Sequence, residues 1–229
     1  MSNTLYYTLR TVLSPLSYRV RGTEHINHNS SAIFIGNHVG SIGPFQAVLT
    51  LPVRLYPWAI AEMTDPARIH NYVYAHFIAP IWHLTGWTGA LATRLVACIV
   101  GNVLRGIDCI PLDRSRNQYV SAFSQSLAVL EQGRSLLIFP ENPIGQSDPA
   151  THMRPFMPGF IHLCAHFRRK TGSDLPVYPI AVVPPQRIVV VGEARYLCFS
   201  EYSSGAIRHM RDSLQDAVGS LYLACLAEG

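Results

Sequence analysis

Short apolar runs with strand character alternate with segments of helical periodicity, and this alternation narrows the possible folds more than any other feature. The clearest helical segment places Tyr119, Phe123, Leu127 and Leu130 at three- and four-residue spacing. The other helical segments are Pro66 to about Leu104, Gly159 to Lys170 and Ser204 to Ala227. The strand-like runs are Ile33–Ile35, Tyr56–Ala61, Ile107–Pro111, Ser135–Phe139, Pro176–Val183, Arg187–Val191 and Tyr196–Phe199. The pattern predicts a single α/β domain with a mostly parallel sheet flanked by helices.

Four of these runs end in polar or ionisable groups: Asn37-His38, Glu62, Asp113-Arg114 and Glu141. In open α/β sheets the chemistry gathers beyond the carboxyl ends of the strands, so we expect these groups to form one site. His38 ends a core strand, which is a suitable place for a general base. The alternatives are a hydrogen-bonded core histidine, a structural ion pair within Asp113-Arg114, and a loop-stabilising role for Glu141.

Composition points toward a lipid surface. The 229 residues are 48% hydrophobic and 14% charged, against about 25% charged in an average soluble domain. Such a surface is either unusually rich in neutral polar groups or partly covered by lipid or by a partner. The net charge of +4 suits an anionic membrane, and the excess is too small to indicate a nucleic-acid partner.

The N-terminal segment Leu5–Val20 is amphipathic and aromatic, carries Arg10 and Arg19, and is interrupted by Pro15. It predicts either a helix packed on the core or an interfacial membrane helix. The predicted organisation is an amphipathic helical segment over 1–22 and an α/β domain over 23–229. Five widely spaced cysteines, with no signal peptide and no apolar stretch of about 20 residues, predict reduced core thiols. The expected location is cytoplasmic, peripheral on the inner face of the membrane.

Other site types find little support in the sequence. His162 and His166 are four residues apart on a predicted helix, but a zinc site would need further ligands at suitable spacing. The chain has no phosphate-binding Walker loop and no dinucleotide-binding fingerprint. We therefore predict neither a metal nor a cofactor.

The order of the motifs resembles the glycerolipid acyltransferase family, of the 1-acylglycerol-3-phosphate acyltransferase type. The family's first block is Asn-His, four residues and Asp-Pro; Asn37-His38 and Gly43-Pro44 match it with the Asp replaced. The third block, Phe-Pro-Glu-Gly-Thr-Arg, is matched only as far as Glu141, and Ile144 stands at the position of its Arg. The other blocks are matched in order by Glu62-Met63, Ile110–Arg114, Phe156–Gly159 and Pro176–Ala181.

This resemblance implies transfer of a fatty acyl group from a thioester to the hydroxyl or amine of a lipid-like or small-molecule acceptor. The thioester, of coenzyme A or of acyl carrier protein, would be a cosubstrate, and no cofactor is implied. His38 would be the general base, and Arg114 would contact the acceptor's phosphate. The resemblance also implies substrate-binding roles for Asn37, Asp113, Glu141 and Gly159.

Gly43 cannot orient an imidazole, as the family's Asp does. We predict that Glu62 takes over this role, with its carboxylate within hydrogen-bond reach of His38, about 2.6–3.2 Å or one water further. Gly43→Asp is then expected to recover part of the activity. Because the base is retained, an active acyltransferase is favoured. The alternatives are a catalytically degenerate protein that binds an acyl chain, a lipid or a partner, and a thioester hydrolase.

Overall fold

The computed structural model describes residues 3–40, 42–113, 116–199 and 202–228, with backbone alone at 3–5 and 116–119. Contacts divide the chain into two compact units. The smaller unit comprises Met1–Leu9 and Tyr56–Gln125, and the larger unit comprises Arg10–Leu55 and Ser126–Gly229. Strands and helices alternate in the chain and most strand pairs are parallel, which confirms the predicted α/β class. The predicted boundary at residue 22 stays a prediction.

The helices are α1 (Asn3–Leu13), α2 (Ile42–Thr50), α3 (Ala61–Thr64), α4 (Ile69–Val73), α5 (Ala79–Trp82), α6 (Gly86–Gly106), α7 (Arg116–Glu131), α8 (Gly159–Thr171) and α9 (Ser204–Ala227). The strands are β1 (Arg19–Arg21), β2 (Ile33–Gly36), β3 (Leu55–Ile60), β4 (Ile110–Leu112), β5 (Ser135–Ile138), β6 (Pro176–Val183), β7 (Ile188–Val191) and β8 (Arg195–Tyr196).

The larger unit is built on a sheet in which β1, β7, β6, β2 and β5 are neighbours in that order, and β8 pairs with β6. β2 lies between β5 and β6 and is parallel to both, whereas β6 and β7 are antiparallel. Every residue of β2, β5 and β6 is buried. Their continuous apolar sequences are typical of strands covered on both faces. The carboxyl end of β2 is thereby fixed at the centre of this sheet.

The smaller unit has a parallel pair, β3 and β4, and a group of helices. Its core includes Ile69, Val73, Ile78 and Ala97. α6 buries small residues at every fourth position, namely Gly89, Thr93, Ala97 and Gly101. The large apolar side chains Trp87, Leu91, Leu95 and Ile99 are exposed, Trp87 by 78%. By length and composition alone, α6 would suffice to cross a membrane.

Several predicted elements differ in extent from the observed ones, and the strand predicted over Tyr196–Phe199, for example, is Arg195–Tyr196. The segment Leu5–Val20 is helical only to Leu13, and Arg19–Arg21 form an edge strand parallel to β7. Pro15 accounts for the early end, because proline removes a backbone donor and disfavours helix before it. Ile107 continues the end of α6, so the strand predicted over 107–111 begins at Ile110 instead.

The N-terminal helix packs on protein along one side. Tyr6 is buried, and Arg10 donates to the carbonyls of Leu49 and Thr50 at 3.0 and 3.2 Å, where it stabilises the C-terminal end of α2. Tyr7, Val12 and Leu16 remain exposed. The five cysteines are free thiols; the prediction that they lie in the core is wrong for Cys98 and Cys198, which are exposed.

Candidate active site

Asn37 anchors the end of β2 to the neighbouring strand. Its side chain is fully buried, its Nδ2 donates to the carbonyl of Val182 at 2.9 Å, and its Oδ1 accepts from the amide of Val182 at 2.8 Å. The amide side chain thus pairs with β6 as a strand residue would. These two bonds fix the backbone that leads into His38, and the predicted substrate-binding role of Asn37 stays a prediction.

His38 opens a turn of unusual backbone geometry. Val39 and Gly40 both have positive φ, 40° and 62°, which is a strained conformation for a β-branched residue such as Val39. This turn brings the Gly40 backbone to the imidazole, and their hydrogen bond favours the protonated ring, as a carbonyl acceptor does. The ring also packs edge-on against Phe139 with centroids 5.5 Å apart. The sequence pattern does not predict this contact between Gly40 and the His38 ring.

Glu141 bridges two segments of the larger unit. Its Oε1 accepts from the backbone amide of His38 at 2.7 Å, and its Oε2 accepts from the backbone amide of Arg154 at 3.2 Å. The loop that contains it is closed by backbone bonds from Asn142 to Pro155 and from Met157 to Pro140, at 2.8 and 2.7 Å. Glu141 is therefore a positioned carboxylate beside the histidine turn.

The surroundings of His38 favour the neutral form of its imidazole. Although His38 is exposed, the protein atoms around its ring desolvate it and lower its pKa below the ordinary value of 6.5. Glu141 and the Gly40 bond act in the opposite sense on this pKa, and the charge of Arg154 lowers it further. A neutral imidazole whose donor nitrogen is engaged by Gly40 keeps its other nitrogen available to accept a proton.

The structure explains the glycine at the motif's aspartate position. The amide of Gly43 donates to the carbonyl of His38 at 3.1 Å. A Cβ at position 43 would lie 2.2 Å from that carbonyl oxygen and 2.7 Å from the oxygen of Asn37. No side chain fits here unless the backbone moves. We therefore expect that Gly43→Asp does not recover activity, because the aspartate would displace the histidine turn.

Two other predicted site residues, Glu62 and Asp113, belong to the smaller unit. Both are partners of Arg68, whose Nη1 lies 3.9 Å from Glu62 and 3.2 Å from Asp113. Arg68 also bonds Asp65 at 2.8 Å. The ion-pair partner of Asp113 in this group is therefore Arg68, which is distant from it in sequence. Arg114 lies outside the described residues. The predicted hydrogen bond between Glu62 and His38 stays a prediction.

Two positions of the later blocks also belong to the larger unit. Gly159 begins α8, two residues beyond Met157, which bonds the backbone beside Glu141. Ile144, at the position of the family's arginine, is 85% exposed. No group of three or more potential metal ligands occurs among the described residues. His162 instead shares a hydrogen bond of 2.5 Å with the hydroxyl of Tyr202.

Comparison with known proteins agrees with this architecture. Residues 88–183 match the model of the family described as Acyltransferase, a span that includes Asp113, Glu141 and Gly159 and begins after the histidine turn. Comparison with curated protein sequences gave no match.

Among solved structures, the fold is similar to that of the 1-acyl-sn-glycerophosphate acyltransferase PlsC from Thermotoga maritima, with a TM-score of 0.51 and 16% identity. The match covers 96% of this chain and 76% of that one. Over residues 88–183 this chain is thus similar to the Acyltransferase family, and its fold is similar to that of PlsC.

Proposed function

We propose that this protein is an acyltransferase that moves a fatty acyl group from a thioester of coenzyme A or acyl carrier protein to a hydroxyl or amine of a lipid-like acceptor, with His38 as the general base. The observation that carries the proposal is a histidine at the end of β2 whose turn is held by the carboxylate of Glu141 and whose ring packs on Phe139. The match to a PlsC fold favours lipid biosynthesis as the setting.

In the proposed reaction the free nitrogen of His38 takes the acceptor's proton while the acceptor oxygen attacks the thioester carbonyl carbon. The resulting tetrahedral species expels the thiolate as the C–S bond breaks, and the imidazolium returns its proton to that sulfur. The negative charge of Glu141 stabilises the imidazolium between these steps. A thioester-release assay with and without lipid extract tests the proposal, since transfer requires release that depends on an acceptor.

The pH dependence of the reaction should follow the titration of His38. Its lowered pKa keeps the base form present at neutral pH, so we expect kcat/KM to fall with acidification through a midpoint below 6.5. Glu141→Gln should move the midpoint lower still, because it removes the charge that favours the imidazolium. A midpoint above 6.5, in enzyme that regains full activity on return to neutral pH, would contradict His38 as the base.

We also propose that the protein works in the cytoplasm as a peripheral protein on the inner face of the membrane. Two apolar surfaces support this location: the exposed side chains Tyr7, Val12 and Leu16, and the exposed row on α6. One side of α6 packs on its own unit and the other presents large apolar groups, as in a helix lying on a lipid surface.

Substitutions on either surface should weaken binding to anionic vesicles. Each of Val12→Gln/Leu16→Gln and Leu91→Gln/Leu95→Gln removes two exposed aliphatic side chains and should lower the partition constant about tenfold or more. These changes spare buried Tyr6 and bonded Arg10, which a deletion of residues 1–18 would remove. Leu223→Gln, which changes an exposed leucine on α9, is the control. Equal sedimentation of all variants would refute membrane attachment through these surfaces.

A further inference from the structure

The loop that follows Glu141 has Ile144 where the family's third block has an arginine, and another arginine, Arg154, contacts the backbone beside that position. Ile144 is 85% exposed and apolar, so it offers nothing to an anion. The loop returns on itself through the bonds between Asn142 and Pro155 and between Met157 and Pro140. Arg154 therefore lies opposite the segment that begins at Glu141.

The guanidinium of Arg154 reaches the backbone next to position 144. Its Nη1 donates to the carbonyl of Pro143 at 2.9 Å, one residue before Ile144. Its remaining side-chain N–H groups have no partner among the described residues, and the residue is exposed. The planar fork of an arginine, fixed at one corner, presents its other donors in the geometry that phosphate oxygens accept.

Arg154 is also tied to the histidine turn. Its backbone amide and that of His38 donate to the two oxygens of the same carboxylate, Glu141. Its charge is close enough to lower the pKa of His38. An anion held by this guanidinium would lie within electrostatic reach of the base.

We propose that Arg154 binds a phosphoryl group of the reactants, in place of the arginine that the family carries at position 144. The inference rests on the proposed function for its place in turnover. The phosphoryl group belongs either to the acceptor or to the phosphopantetheine arm of the thioester donor, and the two sources share the same chemistry.

A direct binding test uses inorganic phosphate as the probe and the NMR signals of the His38 imidazole as the readout. Saturable phosphate-dependent shifts are expected in the wild type. Arg154→Gln should weaken this binding about 10- to 100-fold, as for loss of a charged hydrogen bond. Arg169→Gln, an exposed arginine in the last turn of α8, is the charge-matched control. The double variant Ile144→Arg/Arg154→Gln should regain phosphate binding.

Turnover measurements then identify the source of the phosphoryl group. If it lies on the acceptor, Arg154→Gln raises the KM for a phosphorylated lysolipid and leaves that for monoacylglycerol unchanged. If it lies on the donor, the KM for acyl-CoA rises and that for phosphate-free acyl-pantetheine does not. Unchanged phosphate binding by folded Arg154→Gln would overturn the proposal. Arg154-dependent phosphate binding without acyl transfer would uphold it and refute the proposed function.

Discussion

His38→Ala should lower acceptor-dependent thioester turnover by about 10²- to 10⁴-fold, the usual contribution of a general base. The loss should appear in kcat, because the imidazole acts when the acceptor's proton is removed. Since His38 is exposed and its backbone amide still donates to Glu141 after the substitution, unfolding by heat should be little changed. Thioester release and lipid product, measured with and without lipid extract, provide the readout.

The control is His166→Ala, which removes another exposed histidine, on α8, and should leave turnover intact. Full transfer by folded His38→Ala would refute the proposed mechanism. Acceptor-independent release would favour a hydrolase. A wild type that binds acyl chains but releases no thiol would favour a catalytically degenerate binding protein.

Gly43→Ala should disable the site as severely as loss of a catalytic group. The added Cβ would lie 2.2 Å from the carbonyl oxygen of His38, so the turn must move. A displacement of about 1 Å at a catalytic group can lower turnover about 10²-fold, and overpacking at this buried position should cost about 1–3 kcal/mol of unfolding free energy. Activity and thermal unfolding of the same preparation measure both effects. Gly43→Asp should lower turnover and unfolding free energy at least as much as Gly43→Ala does.

The matched control for this change is Gly205→Ala, in the first turn of α9. A Cβ there meets nothing closer than 3.8 Å, so activity should be unchanged and the helix slightly favoured. Wild-type activity in Gly43→Ala would mean that the turn tolerates displacement, and that the backbone contact does not explain the missing aspartate.

The alternation of strands and helices could be predicted because it depends on local patterns of apolar residues. The predicted strand over Pro176–Val183 is confirmed to the residue, and α9 begins and ends where predicted. The amphipathic pattern continues past Pro15 to Val20, whereas α1 ends at Leu13, because proline disfavours the helical conformation before it.

The contacts of the site join residues that are distant in the chain, and a local pattern of apolar residues cannot predict such contacts. The side chain of Asn37 bonds Val182, which lies 145 residues further along the chain. The amide of His38 donates to Glu141, which lies 103 residues further along. Arg154 lies in an irregular loop whose backbone pairing sets its position, and no periodicity predicts such pairing. The same holds for the turn at Val39 and Gly40, whose left-handed geometry follows from tertiary packing.

The two sides of α6 impose opposite limits on what sequence variation this helix can tolerate. The inward side limits the size of its side chains. A Cβ at Gly89 would lie 2.7 Å from the carbonyl oxygen of Leu84, and one at Gly101 would lie 3.0 Å from the side chain of Ile69. The outward side, from Trp87 to Ile99, does not limit side-chain size in this way, because its large apolar side chains are exposed. Substitutions within related sequences should therefore conserve volume on the inward side and hydrophobicity, without fixed shape, on the outward side.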